Sequence, residues 1–239
     1  MNGSLKYTLS KFLEAVAQDR RVEESDPFLS SIVCIYRKIT VNERLPHFVH
    51  VFSLDDKSAS TVIELLKNTL VEQGVTNMNR LNSPVSYLLD ELICNIQQHA
   101  HTGNGYAFMG YDSVTDSVEL VVADSGITIY GSYVSTQKYL ELIGNSDACA
   151  LNLAQNGYST KNLPDAENRG YGISSNIRMV VEGLHGDFAV LSGNALMVQS
   201  VDNKKILSLP PEVDFKGTMV IVRFSASIPS SFNLYNYTN

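Results

Sequence analysis

The 239 residues predict an α+β fold: a two-layer sandwich with a mixed, mostly antiparallel sheet covered by helices on one face. Three observations predict it. Residues 106–111 and 118–123 are apolar strand-sized runs joined by a short polar turn, the mark of a hairpin. Three more such runs follow at residues 187–191, 196–201 and 204–209, separated by Gly193-Asn194 and Asp202-Asn203. Between these groups lie segments of 3.6-residue apolar periodicity, which are helices that need a sheet to cover.

The elements are justified in order. Residues 5–17 place Leu5, Leu9, Phe12, Leu13, Val16 and Ala17 on one helical face, and the charged stretch 19–24 then reads as a solvated connector. Residues 28–39 are apolar enough for a strand, and 47–52 alternate as one. A helix is expected over 59–73, with Thr61 and Glu64 as a capping box. A second is expected to start at Ser83 as cap with Pro84 in the first helical position, and Val85, Leu88, Leu89, Leu92, Ile93 and Ile96 form its buried face. Helices are also expected near 137–143 and 147–155, and from Gly172 to about Gly183, where Ile173, Ile177, Val180, Val181 and Leu184 are in register. A strand over 218–224 precedes a Ser/Asn/Tyr-rich tail. The segment from Gly126 to Arg169 has few strongly periodic stretches and is expected to include a mobile lid.

Composition narrows the function. Eighteen basic against 25 acidic residues give a net charge of −7, the wrong sign for nonspecific binding to nucleic acid. No apolar run approaches the roughly eighteen residues that a spanning helix needs, and the N-terminus has no signal-peptide pattern. Cys34, Cys94 and Cys149 are odd in number and form no CxxC pair, so reduced thiols are expected. The chain reads as cytoplasmic and soluble.

Three spots depart from an ordinary core. Glu91, Asn95 and His99 recur every four residues and form one stripe where the helix passes from core to surface; a carboxylate and a carboxamide there suit a magnesium ion and a water beside an anionic ligand, or a plain solvated flank. Asp124 follows an apolar strand and precedes Ser125-Gly126, so its carboxylate sits where the sheet ends and needs a donor, or belongs to a simple turn. Arg169-Gly170-Tyr171-Gly172 opens a helix, and glycines there let the backbone approach a phosphate. Dinucleotide-binding, P-loop, zinc-peptidase and hydrolase-elbow signatures are absent.

Taken together, Glu-x-x-x-Asn-x-x-x-His on a helix, strand-Asp-x-Gly, and Arg-Gly-x-Gly-Ile-Ser opening a helix resemble the Bergerat-fold (GHKL) ATPases, which include histidine-kinase-like ATP-binding domains. The N box is most similar to that of bacterial anti-sigma-factor serine kinases, as is the run Ser159-Thr160-Lys161 ahead of Arg169, and Gly217-Thr218 resembles the family's glycine-threonine pair. The resemblance covers about residues 45–224. It divides the chain into an N-terminal appendage (1–43), an ATP-binding domain (44–225) and a polar tail (226–239). It implies ATP and Mg2+ as cofactors. Asn95 would ligate the metal, and Glu91 would be the catalytic base toward water or an acceptor hydroxyl. Asp124 would accept the adenine amino group with Thr218 in support. Gly126 would leave room for the base, Gly170 and Gly172 would let the lid wrap the phosphates, and Lys161 and Arg169 would be their charge partners.

The sequence departs from the family in having Thr128 where a second glycine is usual and Ile96 where alanine is common. It also lacks a phosphoacceptor-histidine helix; His47, His50, His101 and His185 read as structural or surface residues. The expectation is a regulatory ATPase or protein kinase that transfers phosphate to a protein partner or hydrolyses ATP slowly. The alternative is a nucleotide-dependent interaction switch without catalysis, and a nucleotide-free binding protein is a third reading. Expected partners are an adenine nucleotide and a protein partner or substrate, with room for a homodimer, and neither nucleic acid nor membrane.

Overall fold

A computed structural model describes residues 49–53, 56–99, 104–160, 172–209 and 214–237. The expected elements at 5–17 and 28–39 lie outside these residues. The chain runs β1 (Val49–Ser53), α1 (Asp56–Glu72), α2 (Met78–His99), β2 (Asn104–Asp112) and β3 (Ser117–Asp124), then α3 (Ile129–Thr136), α4 (Leu140–Ile143), α5 (Asp147–Gln155) and α6 (Ile173–Ile177). After α6 come β4 (Asp187–Gly193), β5 (Ala195–Ser200), β6 (Asn203–Ser208) and β7 (Phe215–Ser225).

The seven strands form one sheet in the order β1-β2-β3-β7-β4-β5-β6. Every pair is antiparallel, so the expected mixed sheet is corrected among the described residues. The reason is topological. β7 enters between β3 and β4 and runs against both, β2–β3, β4–β5 and β5–β6 are joined by short turns, and β1 reaches its antiparallel neighbour β2 through α1 and α2. The fold is α+β.

The helices supply one core against one face of this sheet. Leu66 and Leu70 of α1, Leu89 and Leu92 of α2, and Val180 and Val181 after α6 meet Met109, Leu120, Val190, Met197 and Val222. Alternation along β3 assigns Val118, Leu120 and Val122 to this face, yet all eight residues of β3 are buried.

Two expected helix starts are corrected. The helix reaches back to Asp56, which leaves Thr61 and Glu64 inside it rather than in a capping box. Likewise α2 begins at Met78, where the Asn77 carbonyl accepts from the Arg80 and Leu81 N–H groups, and runs through Ser83-Pro84. A proline this far inside a helix costs about 3 kcal/mol. The cost is offset because Leu81, Pro84, Val85 and Leu88 are all buried, each large apolar side chain contributing about 1.5–3 kcal/mol.

The span expected to include a lid carries secondary structure in its described part. Residues 129–155 form three short helices with a small core of Tyr133, Ile143 and Ala150. Thr128 and Ser146 cap two of them, accepting from the Gly131 and Cys149 N–H groups. Helices of four to nine residues are too short to show a periodic pattern, and side-chain caps hold the two longer ones. After α6 the helix widens to a π-turn over Arg178–Gly183. The tail then packs back on it: Phe232 and Tyr237 stack at 5.8 Å, and a Cβ at Gly183 would meet the Tyr237 ring at 2.8 Å. Among the described residues no helix is long and apolar enough to cross a membrane.

Leu89 is fully buried and Leu65 is 44% exposed. Leu89→Ala should therefore lose about 2–5 kcal/mol of stability in urea unfolding, while Leu65→Ala should stay within about 0.5 kcal/mol of the parent.

Candidate functional site

Asp124 ends β3 and is 3% exposed. β7 lies beside β3, pairing Met219 with Ala123, and Gly217 comes so close that a Cβ there would lie 2.2 Å from the Asp124 carbonyl oxygen and 2.7 Å from Oδ1. Its φ of +95° adds a second reason for glycine. This approach brings the Thr218 N–H to the carboxylate, and the Gly126 N–H donates to Oδ1 at 2.8 Å. Burial nevertheless pushes the Asp124 carboxyl up to about 7, with the two N–H groups pulling the other way.

Beside Asp124 opens a cavity of about 120 Å³, several times what one water requires. Leu92, Asn95, Ile96 and His99 of α2 form one wall, and Val122, Asp124, Thr218 and Val220 belong to the sheet. Residues 127–129, Ser132, Tyr133 and 157–160 face them, and Gly172 and Ile173 close one end. Apolar faces with a few converging polar groups are the usual make-up of a small-molecule site.

The structure thus gathers Asn95, Asp124, Gly172 and Thr218 around one cavity. Glu91 is partly buried one turn before Asn95 and is not among the residues lining the cavity. Gly126 is also off the wall and serves as a donor to Asp124. Lys161, Arg169 and Gly170 lie outside the described residues. Gly172, at φ +111°, has the Asn95 Oδ1 atom 3.7 Å from where its Cβ would be. The Asn95 Nδ2 atom is buried without a partner among the described residues.

The unpartnered Nδ2 is a donor and suits an anionic oxygen, whereas Oδ1 of the same carboxamide is the atom able to ligate a cation. No cluster of three or more His, Cys, Asp or Glu side chains exists among the described residues to hold an ion by itself. A magnesium ion would therefore rely on phosphate oxygens and water, with Asn95 as a protein ligand, which matches that ion's habits.

Sequence reasoning missed Ser192 and Ser132, and gave no bonding partners to His99, Thr160 and Thr128. Ser192 of β4 is 1% exposed and joins three elements: its Oγ accepts from the Ile129 N–H at 2.9 Å, donates to the Gly217 carbonyl at 3.1 Å and lies 3.2 Å from Thr218 Oγ1. His99 Nδ1 lies 3.3 Å from Thr160 Oγ1, which is 3.0 Å from Ser132 Oγ, so a polar chain crosses the cavity wall. Thr128, which replaces a family glycine, caps α3 through its hydroxyl at 3.0 Å from the Gly131 nitrogen. A serine inside a strand or a short helix gives no sequence signal. The Thr128-x-x-Gly131 cap is the single feature a search for helix starts would reveal.

The raised Asp124 carboxyl has a stability consequence. Between pH 4 and 7 the unfolded chain is the more ionised, so it binds fewer protons and stability falls as pH rises. The stabilisation is complete below about pH 4 and is lost as pH climbs through about 7. A shift of about three units amounts to roughly 4 kcal/mol. Urea unfolding from pH 4.5 to 8 should show this decline as the difference between the parent and Asp124→Asn, which has no proton to lose there.

Comparison of the chain with protein-family models finds no match, and comparison with curated proteins finds none either.

Proposed function

We propose that the chain is a magnesium-ATP-binding domain of the Bergerat type, similar to histidine-kinase-like ATPases, and that the cavity takes the nucleotide. The observation that carries this reading is the convergence of Asn95, Asp124, Gly172 and Thr218, from separate elements, on one cavity. The apolar side chains of α2 and of residues 127–129 would hold the adenine, and the Asp124 carboxylate would accept from its amino group. That donor replaces the solvent which burial removed, so binding favours the ionised form and releases a proton near pH 7. Asn95 holds the metal, which neutralises phosphate charge when bound. Gly172, with no side chain beside Asn95, leaves the backbone free to approach the phosphates.

Whether phosphate is then transferred or hydrolysed depends on Glu91. Its place one turn from Asn95 suits a base acting on an acceptor beyond the phosphates. Its position off the cavity wall also favours the second reading, in which nucleotide binding switches a protein interaction without turnover.

Calorimetry with ATP, ADP and Mg2+ tests the first claim. Asp124→Asn should weaken binding about tenfold to a hundredfold, on the order of 1–3 kcal/mol for a mismatched buried polar pair. No heat at millimolar nucleotide would refute nucleotide binding. Asn95→Ala should weaken the magnesium-dependent part of the affinity. Glu91→Ala should leave affinity within about a few-fold and abolish release or transfer of labelled terminal phosphate. An unchanged nucleotide response in Glu91→Ala, with no turnover in the parent, identifies the switch.

A further inference from the structure

Asp124 and Thr218 stand side by side at the polar end of the cavity. Ala123 pairs with Met219, and alternation along the two strands turns Val122, Asp124, Thr218 and Val220 to the cavity side. An ionised carboxylate can only accept a hydrogen bond, whereas a hydroxyl can accept or donate. What this end of the cavity recognises therefore depends on where the Thr218 proton points.

Ser192 sits behind Thr218 and does not line the cavity. The ladder between β4 and β7 slips after the pair Ser192–Thr218, so that Gly193 faces Phe215 and Gly217 is passed over. Gly217 is buried, and a buried carbonyl outside a ladder needs a donor from elsewhere. The Ser192 hydroxyl supplies it at 3.1 Å, which commits its single proton. Of its two lone pairs, one receives the Ile129 N–H at 2.9 Å. The other faces Thr218 Oγ1 across 3.2 Å, and with the Ser192 proton already used only Thr218 can donate there. The reverse arrangement, with Ser192 donating to Thr218, would take that donor away from the Gly217 carbonyl, at the cost of an unpaired buried group.

We infer that Ser192 is a positioning residue for ligand selectivity: by taking the Thr218 proton it holds that hydroxyl as an acceptor, so that Asp124 and Thr218 together favour an amino group on the edge of the base and disfavour a carbonyl. The inference rests on the nucleotide reading and deepens it. A carbonyl oxygen set against Thr218 Oγ1 has no proton to share, and a site built to accept from an N–H group rejects an analogue that lacks it. Ser192 touches no ligand and acts only through Thr218.

Calorimetry with two magnesium nucleotides tests it in the full chain: ATP, and inosine triphosphate, which carries a carbonyl in place of the amino group. The titrations are run at about pH 8, where the Asp124 carboxyl, raised to about 7, is largely ionised. The parent should bind inosine triphosphate at least about tenfold more weakly than ATP. Ser192→Ala frees the Thr218 proton to turn into the cavity, so the ratio of the two dissociation constants should fall on the order of tenfold. Ser192→Cys nearly fills the space of the serine with a weak donor and acceptor, and should lower the ratio even where the alanine variant does not fold. A merely structural loss, such as a loosened start of α3, weakens both nucleotides alike. A ratio that stays at the parent value in the folded variants therefore overturns the proposal while leaving nucleotide binding intact. Equal affinity of the parent for the two nucleotides overturns it as well. A parent that binds neither refutes the nucleotide reading, and this inference falls with it.

Discussion

The close approach of β7 to the end of β3 is the constraint on which the site depends. Gly217 has no room for a Cβ against the Asp124 main chain, and its positive φ turns the Thr218 N–H toward the carboxylate. A methyl at that position would force the strands apart. The Asp124 carboxylate would then lose one of its two backbone donors, and the Ser192 hydroxyl would lose the Gly217 carbonyl. Because Ser192 also receives the Ile129 N–H, the start of α3 would lose its anchor. One glycine thus links the sheet, the buried acid and the first helix over the cavity.

The sheet order explains why these residues meet. β7 is the last strand in the chain and occupies the middle of the sheet, flanked by β3 and β4. Gly126 reaches Asp124 locally, but Gly217 and Thr218 come from about ninety residues away and meet it only once β7 pairs with β3. Closing such distant contacts costs loop entropy that the local hairpins do not. The β2–β3 hairpin, in contrast, closes locally, with Asp112 accepting from the Val114 N–H and the Thr115 hydroxyl in its turn.

What the sequence revealed follows the same division. The β2–β3 hairpin, α5, the helix after Gly172 and the three strands from Asp187 to Ser208 were legible, because each is written in local pattern and turn residues. The starts of α1 and α2 were not. Ser83-Pro84 imitates a helix start, and only the burial of Leu81 and Pro84 in the common core shows why the helix continues through it. The all-antiparallel arrangement was hidden because strand direction depends on where β7 lands. In the candidate site, Asp124, Asn95, Gly172 and Thr218 were legible as a joint pattern of spaced boxes. Ser192 and Ser132 were not, since a hydroxyl that bridges distant elements looks like any other serine in the chain.

The energetics of Asp124 bear on why such a residue stands there at all. A carboxyl raised to about 7 by burial is a cost to the folded state at neutral pH, and its two N–H donors offset only part of it. An apolar side chain of similar size would spare the fold that desolvation. A structural role alone therefore explains Asp124 poorly, whereas a ligand that brings a further donor into the cavity recovers what burial removed. The same reasoning applies to the buried Asn95 amide nitrogen that lacks a partner among the described residues. Two polar costs around one cavity, a carboxylate at the sheet and an amide N–H donor on α2, suit a ligand with an amine-like donor at one end and anionic oxygens at the other. An adenine nucleotide has that polarity, and it is this match, more than the spacing of any one motif, that favours the proposed function.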